Sequence, residues 1–220
     1  QQQQQPQKQR QQQQQPPPPS QQQQQQQQHV ILPIPQAPTP YEWDVWNASY
    51  PNPVSHLRKV LFGNSSIFWD EYFTLNKFLN IEISGWNDGV RIQNYIMPKK
   101  GMRPKTKVIT TEKITIDHPS IFVVEIESQT PDVPYGTSFF TKVQYVIKKE
   151  INSNATSIVA TATVVWVKSC VMKGTITGKI KEGITKDLKD VTAKASLMWE
   201  TMLKSSQETA NLDNNNNNNN

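Results

Sequence analysis

The sequence predicts an α+β fold, in which a curved antiparallel sheet of about six strands surrounds one long C-terminal helix and two short helices come first. Apolar and polar residues alternate with a period of two from Phe78 to Lys168, which is typical of strands with one covered face. After Gly174 the apolar residues recur at steps of three and four, the period of one helix face. The sheet is therefore the available partner for the apolar face of that helix.

The two ends of the chain are expected to be disordered. Residues 1–28 are almost entirely Gln and Pro, and residues 214–220 are all Asn. Such low-complexity tracts carry too little apolar surface to offset the entropy of ordering the chain. We therefore expect a disordered Gln/Pro-rich segment over 1–40, one folded domain over 41–205 and a disordered Asn-rich tail over 206–220.

The folded domain is predicted to begin with a Pro-rich segment and two short helices. Residues 29–53 combine prolines with aromatic residues, which predicts an extended lead-in across the domain because proline interrupts helices. Apolar residues on one face predict a first helix from Val54, which Gly63 ends. A second helix follows, with Ser65 or Ser66 as the cap of its first turn.

Six strands are predicted after the helices, each separated from the next by a short turn. Asn87-Asp-Gly89 is a hairpin signal between the first two strands. Short turns between consecutive strands indicate an antiparallel meander. The strands are predicted over about 78–85, 89–97, 105–117, 120–130, 138–150 and 156–168.

The long helix is predicted over 174–203 and would measure about 45 Å at about 1.5 Å per residue. Gly178 and Gly183 interrupt it, each at a cost of about 1 kcal/mol relative to Ala. We expect these glycines to keep the helix slim where it faces the strands or a ligand. Its apolar face consists of Ile176, Ile180, Ile184, Leu188, Val191, Ala195, Met198 and Met202.

Residues that could carry enzyme chemistry are few in this sequence. His29, His56 and His118 stand apart from one another and from Cys170, so no metal site is predicted. A single cysteine cannot form an internal disulfide and fits a reducing, intracellular compartment. Because a Gly-rich phosphate loop is also missing from the sequence, we predict that the protein is not an enzyme and uses no cofactor.

A basic loop joins the second and third predicted strands. Its methionines lie among basic residues, and an apolar tip of this kind suits contact with an anionic membrane, where each basic residue contributes about 1 kcal/mol. An ordinary solvated loop is the alternative. Nucleic acid is not predicted as a partner, because the strands place their aromatic residues singly rather than at base-stacking spacing. The loop contains Met97, Lys99, Lys100, Gly101, Met102, Arg103 and Lys105.

The segment Thr130-Pro-Asp-Val-Pro-Tyr-Gly-Thr-Ser-Phe139 resembles the signature of the VASt domain, a START-like module of the Aster and Lam contact-site sterol transporters. Leu61 to Phe73 resembles the opening helices of that family, and Gly85-Trp86 resembles its first-strand Trp. The run from Arg91 to Glu112 resembles its next motif. The resemblance covers nearly the whole of the predicted domain over 41–205.

The signature turn also has a purely structural interpretation. Pro134 fixes the turn, Asp132 accepts hydrogen bonds from nearby backbone N–H groups, and Tyr135 packs against the sheet.

This resemblance implies a helix-grip fold with an apolar cavity for one sterol and a lid loop near the membrane. On this sequence the lid is Met97–Lys105. The resemblance also implies a place of action on the cytoplasmic side of membranes, such as endoplasmic reticulum contact sites, through a GRAM domain or membrane anchor outside this sequence.

The predicted function is binding of a lipid, a sterol above all, and its non-vesicular transfer between membranes through a cavity closed by the basic lid. The alternative is an interaction module without transfer activity that binds anionic membrane lipid or a protein partner. An enzyme on the same scaffold would need a buried His or carboxylate in the cavity. The residues predicted to line the cavity are Tyr95, Phe122, Val124, Phe140, Tyr145, Val165, Ile180 and Ile184.

Overall fold

Seven strands form one antiparallel sheet within residues 33–99, 104–153, 155–190 and 192–193, which the computed structural model describes. The strands are β1 (Trp43–Tyr50), β2 (Leu79–Ile83), β3 (Val90–Met97), β4 (Thr106–His118), β5 (Ile121–Gln129), β6 (Phe139–Lys149) and β7 (Thr156–Trp166). Their order across the sheet is β1-β7-β6-β5-β4-β3-β2. From β2 to β7 each strand pairs with its neighbour in sequence, so the predicted antiparallel meander is confirmed.

Strand β1 corrects the predicted lead-in over 29–53. It pairs antiparallel with β7, which gives the described sheet seven strands instead of about six. The register shifts between Asp44 and Trp46, and the consecutive residues Val45 and Trp46 are both buried. Such an irregularity interrupts the period-two pattern that would have indicated a strand.

The two predicted short helices are confirmed. They are α1 (Val54–Phe62) and α2 (Ile67–Leu75). Gly63 follows α1, and Ser66 is the cap of α2, as the sequence indicates. Ser66 Oγ accepts a hydrogen bond from the backbone N–H of Trp69 at 3.2 Å and donates one to the carbonyl of Val60 at 2.7 Å. This one side chain therefore links the end of α1 to the start of α2.

The predicted C-terminal helix, here α3, is helical over 173–190 and again at 192–193. Leu188 is buried in the core, and Ile184 packs against the same core. The α+β class, with an antiparallel sheet and a C-terminal helix against it, is thus confirmed. The predicted apolar-face residues Val191, Ala195, Met198 and Met202 lie outside the described residues.

The prediction for Gly178 and Gly183 is wrong. Both are exposed, and a Cβ added to either would meet nothing within 4 Å. Neither glycine therefore brings α3 closer to a strand. Packing does not offset their cost of about 1 kcal/mol each relative to Ala.

Most of the two segments predicted to be disordered lies outside the described residues, namely 1–32 and 206–220. Residues 33–40 are described and contain no helix or strand. None of the helices in the described part of the chain has both the length and the apolar character needed to cross a membrane.

Candidate functional site

Strand register defines which side chains share the face of the sheet that α3 covers, here called the inner face. Ile184 and Leu188 of α3 belong to the same hydrophobic cluster as Phe122, Val124 and Tyr145. Residues that oppose each other in neighbouring strands lie on one face. The inner face can therefore be followed from Val124 to its partner Tyr145, and along these strands at every second residue.

The inner face has two halves that differ in packing. The core half is fully buried, whereas the half near the predicted lid mixes half-buried side chains with buried ones such as Val108, Thr110 and Phe139. We call the second the lid half. The core half contains Phe122, Val124, Tyr145, Ile147, Ile158 and Ala160, and the half-buried members of the lid half are Tyr95, Ser128, Thr141, Val164 and Trp166.

The core half is filled by aromatic side chains from the N-terminal elements. The ring of Phe62 in α1 lies 5.9 Å from that of Phe122 and 5.4 Å from that of Tyr145. Trp46 of β1 adds an edge contact to Tyr145 at 6.3 Å. Burial raises the pKa of Tyr145 above its ordinary value. Three of the predicted cavity residues, Phe122, Val124 and Tyr145, are thus members of a closed hydrophobic core.

The lid half lies beneath the first turns of α3. Trp166 Nε1 donates a hydrogen bond to Thr177 Oγ1 at 3.2 Å, which ties the end of β7 to α3. Ile180 and Ile184 of the predicted set are half-buried on the helix. Thr110 Oγ1 and Ser128 Oγ lie 3.2 Å apart, so polar groups on β4 and β5 face the same region.

Two residues of the predicted cavity set lie on the other face of the sheet. Phe140 and Val165 oppose each other across β6 and β7, one position away from the inner-face pair of Thr141 and Val164. Lys142 lies 6.0 Å above the Phe140 ring on that face. The placement of Phe140 and Val165 in a cavity under α3 is therefore wrong, because a shift of one residue along a strand inverts the face.

Tyr95 lies in an aromatic cluster that was not predicted from the sequence. Its ring stacks on Phe78 with centroids 5.0 Å apart, and Phe73 of α2 lies 5.4 Å away. Burial raises the pKa of Tyr95 to about 12, yet part of its side chain stays accessible. Its ring therefore packs between α2 and the residue that precedes β2.

A buried ion pair lies at the edge of the inner face, on β3 and β4. Arg91 Nε donates to Glu112 Oε2 at 2.7 Å, and Gln93 Nε2 donates to Glu112 Oε1 at 2.6 Å. Burial raises the pKa of Glu112, while the Arg91 guanidinium opposes that shift. Arg91 also donates to the carbonyl of Gly63 at 2.9 Å and lies 4.6 Å from the Trp86 ring. Because both carboxylate oxygens of Glu112 are engaged, it serves as a structural anchor for the α1–α2 junction.

Metal-binding clusters are not found among the described residues, where no three His, Cys, Asp or Glu side chains are placed to hold an ion. His118 Nδ1 accepts a hydrogen bond from the backbone N–H of Ser120 at 3.1 Å. It therefore supports the turn between β4 and β5.

The predicted lid loop is described only at its two ends. Met97 opposes Thr106 where β3 ends and β4 begins, and this pair forms the base of the loop. Lys99 and Lys105 are exposed, whereas the predicted lid residues Lys100, Gly101, Met102 and Arg103 lie outside the described residues.

The signature turn after β5 is attached to the base of the lid loop. Asp132 Oδ2 accepts a hydrogen bond from the backbone N–H of Lys107 at 3.0 Å, as its structural interpretation requires. Tyr135 has a φ of 63° and is 51% exposed, so the expectation that it packs against the sheet is wrong. A Cβ on Gly136 would lie 2.0 Å from the Thr130 carbonyl oxygen, which explains why glycine occupies this position.

Comparisons with known proteins identify the family. The model of the VASt family, described as "VAD1 Analog of StAR-related lipid transfer domain", matches residues 44–183. A protein of Schizosaccharomyces pombe named "Uncharacterized membrane protein C20F10.07" is 32% identical over 155 residues, which are 67% of this chain and 19% of that protein. The chain thus spans about a fifth of the length of this relative.

Two of the solved structures that the chain matches come from bacteria. TTHA0849 of Thermus thermophilus has a TM-score of 0.42 at 12% identity, over 69% of this chain and 97% of that one. The Mll3558 protein of Rhizobium loti has a TM-score of 0.42 at 9% identity, over 67% and 92%. The family match covers more than half of the chain, including the sheet and the start of α3. The chain therefore belongs to the VASt family, a START-like, lipid-transfer-related family whose membership indicates lipid binding.

Proposed function

We propose that the domain binds one apolar lipid, of the size of a sterol, between α3 and the lid half of the inner face, and transfers it between membranes. The observation that carries this proposal is the difference between the two halves. Inner-face side chains of the core half are fully buried, whereas Ser128, Thr141 and Val164 face the same helix and keep accessible surface. Half-buried Ile180 on α3 completes the opposing wall.

The lining of this region suits a lipid that is mostly apolar and carries a small polar group. Tyr95, Val164 and Ile180 offer apolar surface, and burying lipid surface against them contributes about 25 cal/mol per Å². The hydroxyl groups of Ser128 and Thr141 can exchange hydrogen bonds with a polar group of the ligand. The revised lining set is therefore Tyr95, Ser128, Thr141, Val164, Ile180 and Ile184.

The lid loop would control entry at the open end of this region. Lys99 and Lys105 are exposed at its base, where they can contact anionic phospholipid. Neutralising the lid lysines would then slow extraction from anionic vesicles far more than from neutral ones. The membrane-protein name of the fission-yeast relative supports a place of action at membranes, which we propose to be the cytoplasmic side of contact sites.

A second candidate is an interaction module without transfer activity. It is favoured by the filled core half, in which Phe122 and Tyr145 are 1% and 2% exposed. Equilibrium binding of a fluorescent sterol in the absence of vesicles separates the two candidates, and a transfer assay between donor and acceptor vesicles then tests delivery. Saturable binding with accelerated transfer supports lipid transport. Failure to bind any apolar lipid would leave the interaction module.

A further inference from the structure

Three loops meet at one end of the sheet, here called the lid end. Because the strands are antiparallel, the end that carries the lid loop also carries the β5–β6 turn and the β7–α3 loop over 167–172. Hydrogen bonds connect them. Asp132 of the turn accepts from the backbone N–H of Lys107 at 3.0 Å, and the carbonyl of Ser138 accepts from Val167 and Lys168 at 2.9 Å and 3.2 Å. The start of β4, the β5–β6 turn and the start of the β7–α3 loop are therefore linked at this end.

The β7–α3 loop presents apolar side chains to solvent. Val171 is fully exposed at 105%, Val167 is 59% exposed and Met172 is 49% exposed. Tyr135 and Leu79 add exposed apolar surface at the same end, since Leu79 opposes Ile96 next to the lid loop. Clustered exposed apolar residues of this kind mark an interaction surface.

Basic residues surround this apolar surface. Asp88, in the β2–β3 turn at the opposite end of the sheet, is exposed and acidic. An anionic partner therefore fits the lid end. Its exposed lysines are Lys77, Lys99, Lys105, Lys107, Lys168 and Lys173.

We propose that the β7–α3 loop is a second membrane-docking element, which inserts Val171 and Met172 into the interface of an anionic bilayer while Lys168 and Lys173 contact lipid phosphates. Its sequence, with Val171 and Met172 between Lys168 and Lys173, repeats the pattern of the predicted lid loop, in which methionines lie among basic residues. An anionic bilayer offers acyl chains to the apolar side chains of this loop and negatively charged headgroups to its lysines.

This inference deepens the proposed function and rests on it, because docking through the β7–α3 loop brings the end of β7 and the start of α3 to the bilayer. Trp166 and Thr177 fix the start of α3 beside the end of β7. The region between α3 and the lid half would then open directly onto the membrane surface. A lipid could move between bilayer and protein without crossing water.

The test measures binding of the full chain to phosphatidylcholine vesicles with and without phosphatidylserine. V171S/M172S keeps the charge and removes the apolar tip, and we expect about tenfold weaker binding to the anionic vesicles. I151S is the matched control, because Ile151 is 83% exposed in a turn at the opposite end of the sheet. Its binding should equal that of the unmodified chain.

A second pair of variants tests the charges. K168Q/K173Q should weaken binding to the anionic vesicles by about fivefold per lysine and leave the residual binding to neutral vesicles unchanged. Exposed lysines near the opposite end supply the control, K113Q/K149Q, which should have little effect.

Equal vesicle affinity of V171S/M172S and I151S would overturn the proposal. A change from dimer to monomer in V171S/M172S with unchanged vesicle binding would also overturn it, since the loop would then join two copies of the chain. Fluorescent-sterol binding without vesicles should be the same in all variants. If neither the unmodified chain nor any variant binds sterol, the proposed function fails. The vesicle-binding results still test the docking surface in that case.

Discussion

Replacing Val164 by Trp distinguishes a lipid-binding region from a filled core. Val164 lies on the inner face opposite Thr141 and keeps accessible surface. A Trp side chain adds a large ring to that position, because a buried Trp covers about 150–250 Å². If the region beneath α3 is open, the ring occupies it at little cost in stability. If the region is already filled, overpacking lowers the free energy of unfolding by about 1–3 kcal/mol.

Val165→Trp is the matched control. It is the next residue of β7 and lies on the other face, opposite Phe140. We expect V164W to weaken sterol binding at least about tenfold, equivalent to about 1.4 kcal/mol, and V165W to leave it unchanged. Urea unfolding of both variants without lipid gives the stability change.

Two results would refute this reasoning. If V164W loses about 1–3 kcal/mol of stability and still binds sterol normally, the lid half is ordinary core. If V165W blocks binding and V164W does not, the assignment of the inner face is inverted.

Three further predictions follow from the same contacts. G178A and G183A should each raise the free energy of unfolding by about 0.5–1 kcal/mol in urea titrations, because both positions are exposed in α3. A lower free energy of unfolding in either variant would contradict this reasoning. E112A should cost about 3–5 kcal/mol in the same assay, since it leaves Arg91 buried without its partner, whereas a loss below about 1 kcal/mol would contradict the anchoring role. Tyr95 should ionise at about 12 instead of 10.0; because its pKa is raised in the folded state, its contribution to stability is complete below pH 10.0 and is lost as the pH rises toward 12. Tyrosinate absorbance compared between the unmodified chain and Y95F measures this, and ionisation at the ordinary value would show that Tyr95 is solvated.

The sheet could be predicted from the sequence because its strands are long and end at clear turns. The hairpin at Asn87-Asp-Gly89 and the turn before Ile121 separate strands whose apolar residues alternate. Strand β1 could not be predicted in the same way. Its register shift puts Val45 and Trp46 together in the core, so its sequence lacks the alternation that marks a strand.

The inward-facing residues of β6 and β7 could not be predicted because both faces of these strands are apolar near the lid end. Phe139 and Phe140 are adjacent, as are Val164 and Val165, so a period of two gives no preference for either face. Only the pairing with β5, whose inner face carries Val124, shows which residues of β6 and β7 face inward.

The buried Arg91–Glu112 pair was also missed, although the sequence contains a signal for it. The residues lie on two strands that were predicted as neighbours, and the observed register places them directly opposite each other. Strand prediction gives the neighbours but not the register. The sequence between β3 and β4 does not show how many residues form the connecting loop, so the alternating pattern fits several registers equally well.

The most direct test of lipid binding is mass spectrometry of the lipid that the full chain retains after incubation with vesicles of mixed composition and re-isolation. We predict one apolar lipid per chain, a sterol in preference to phospholipid, with V164W retaining none and V165W retaining as much as the unmodified chain. Re-isolation of the unmodified chain without any lipid would contradict the account.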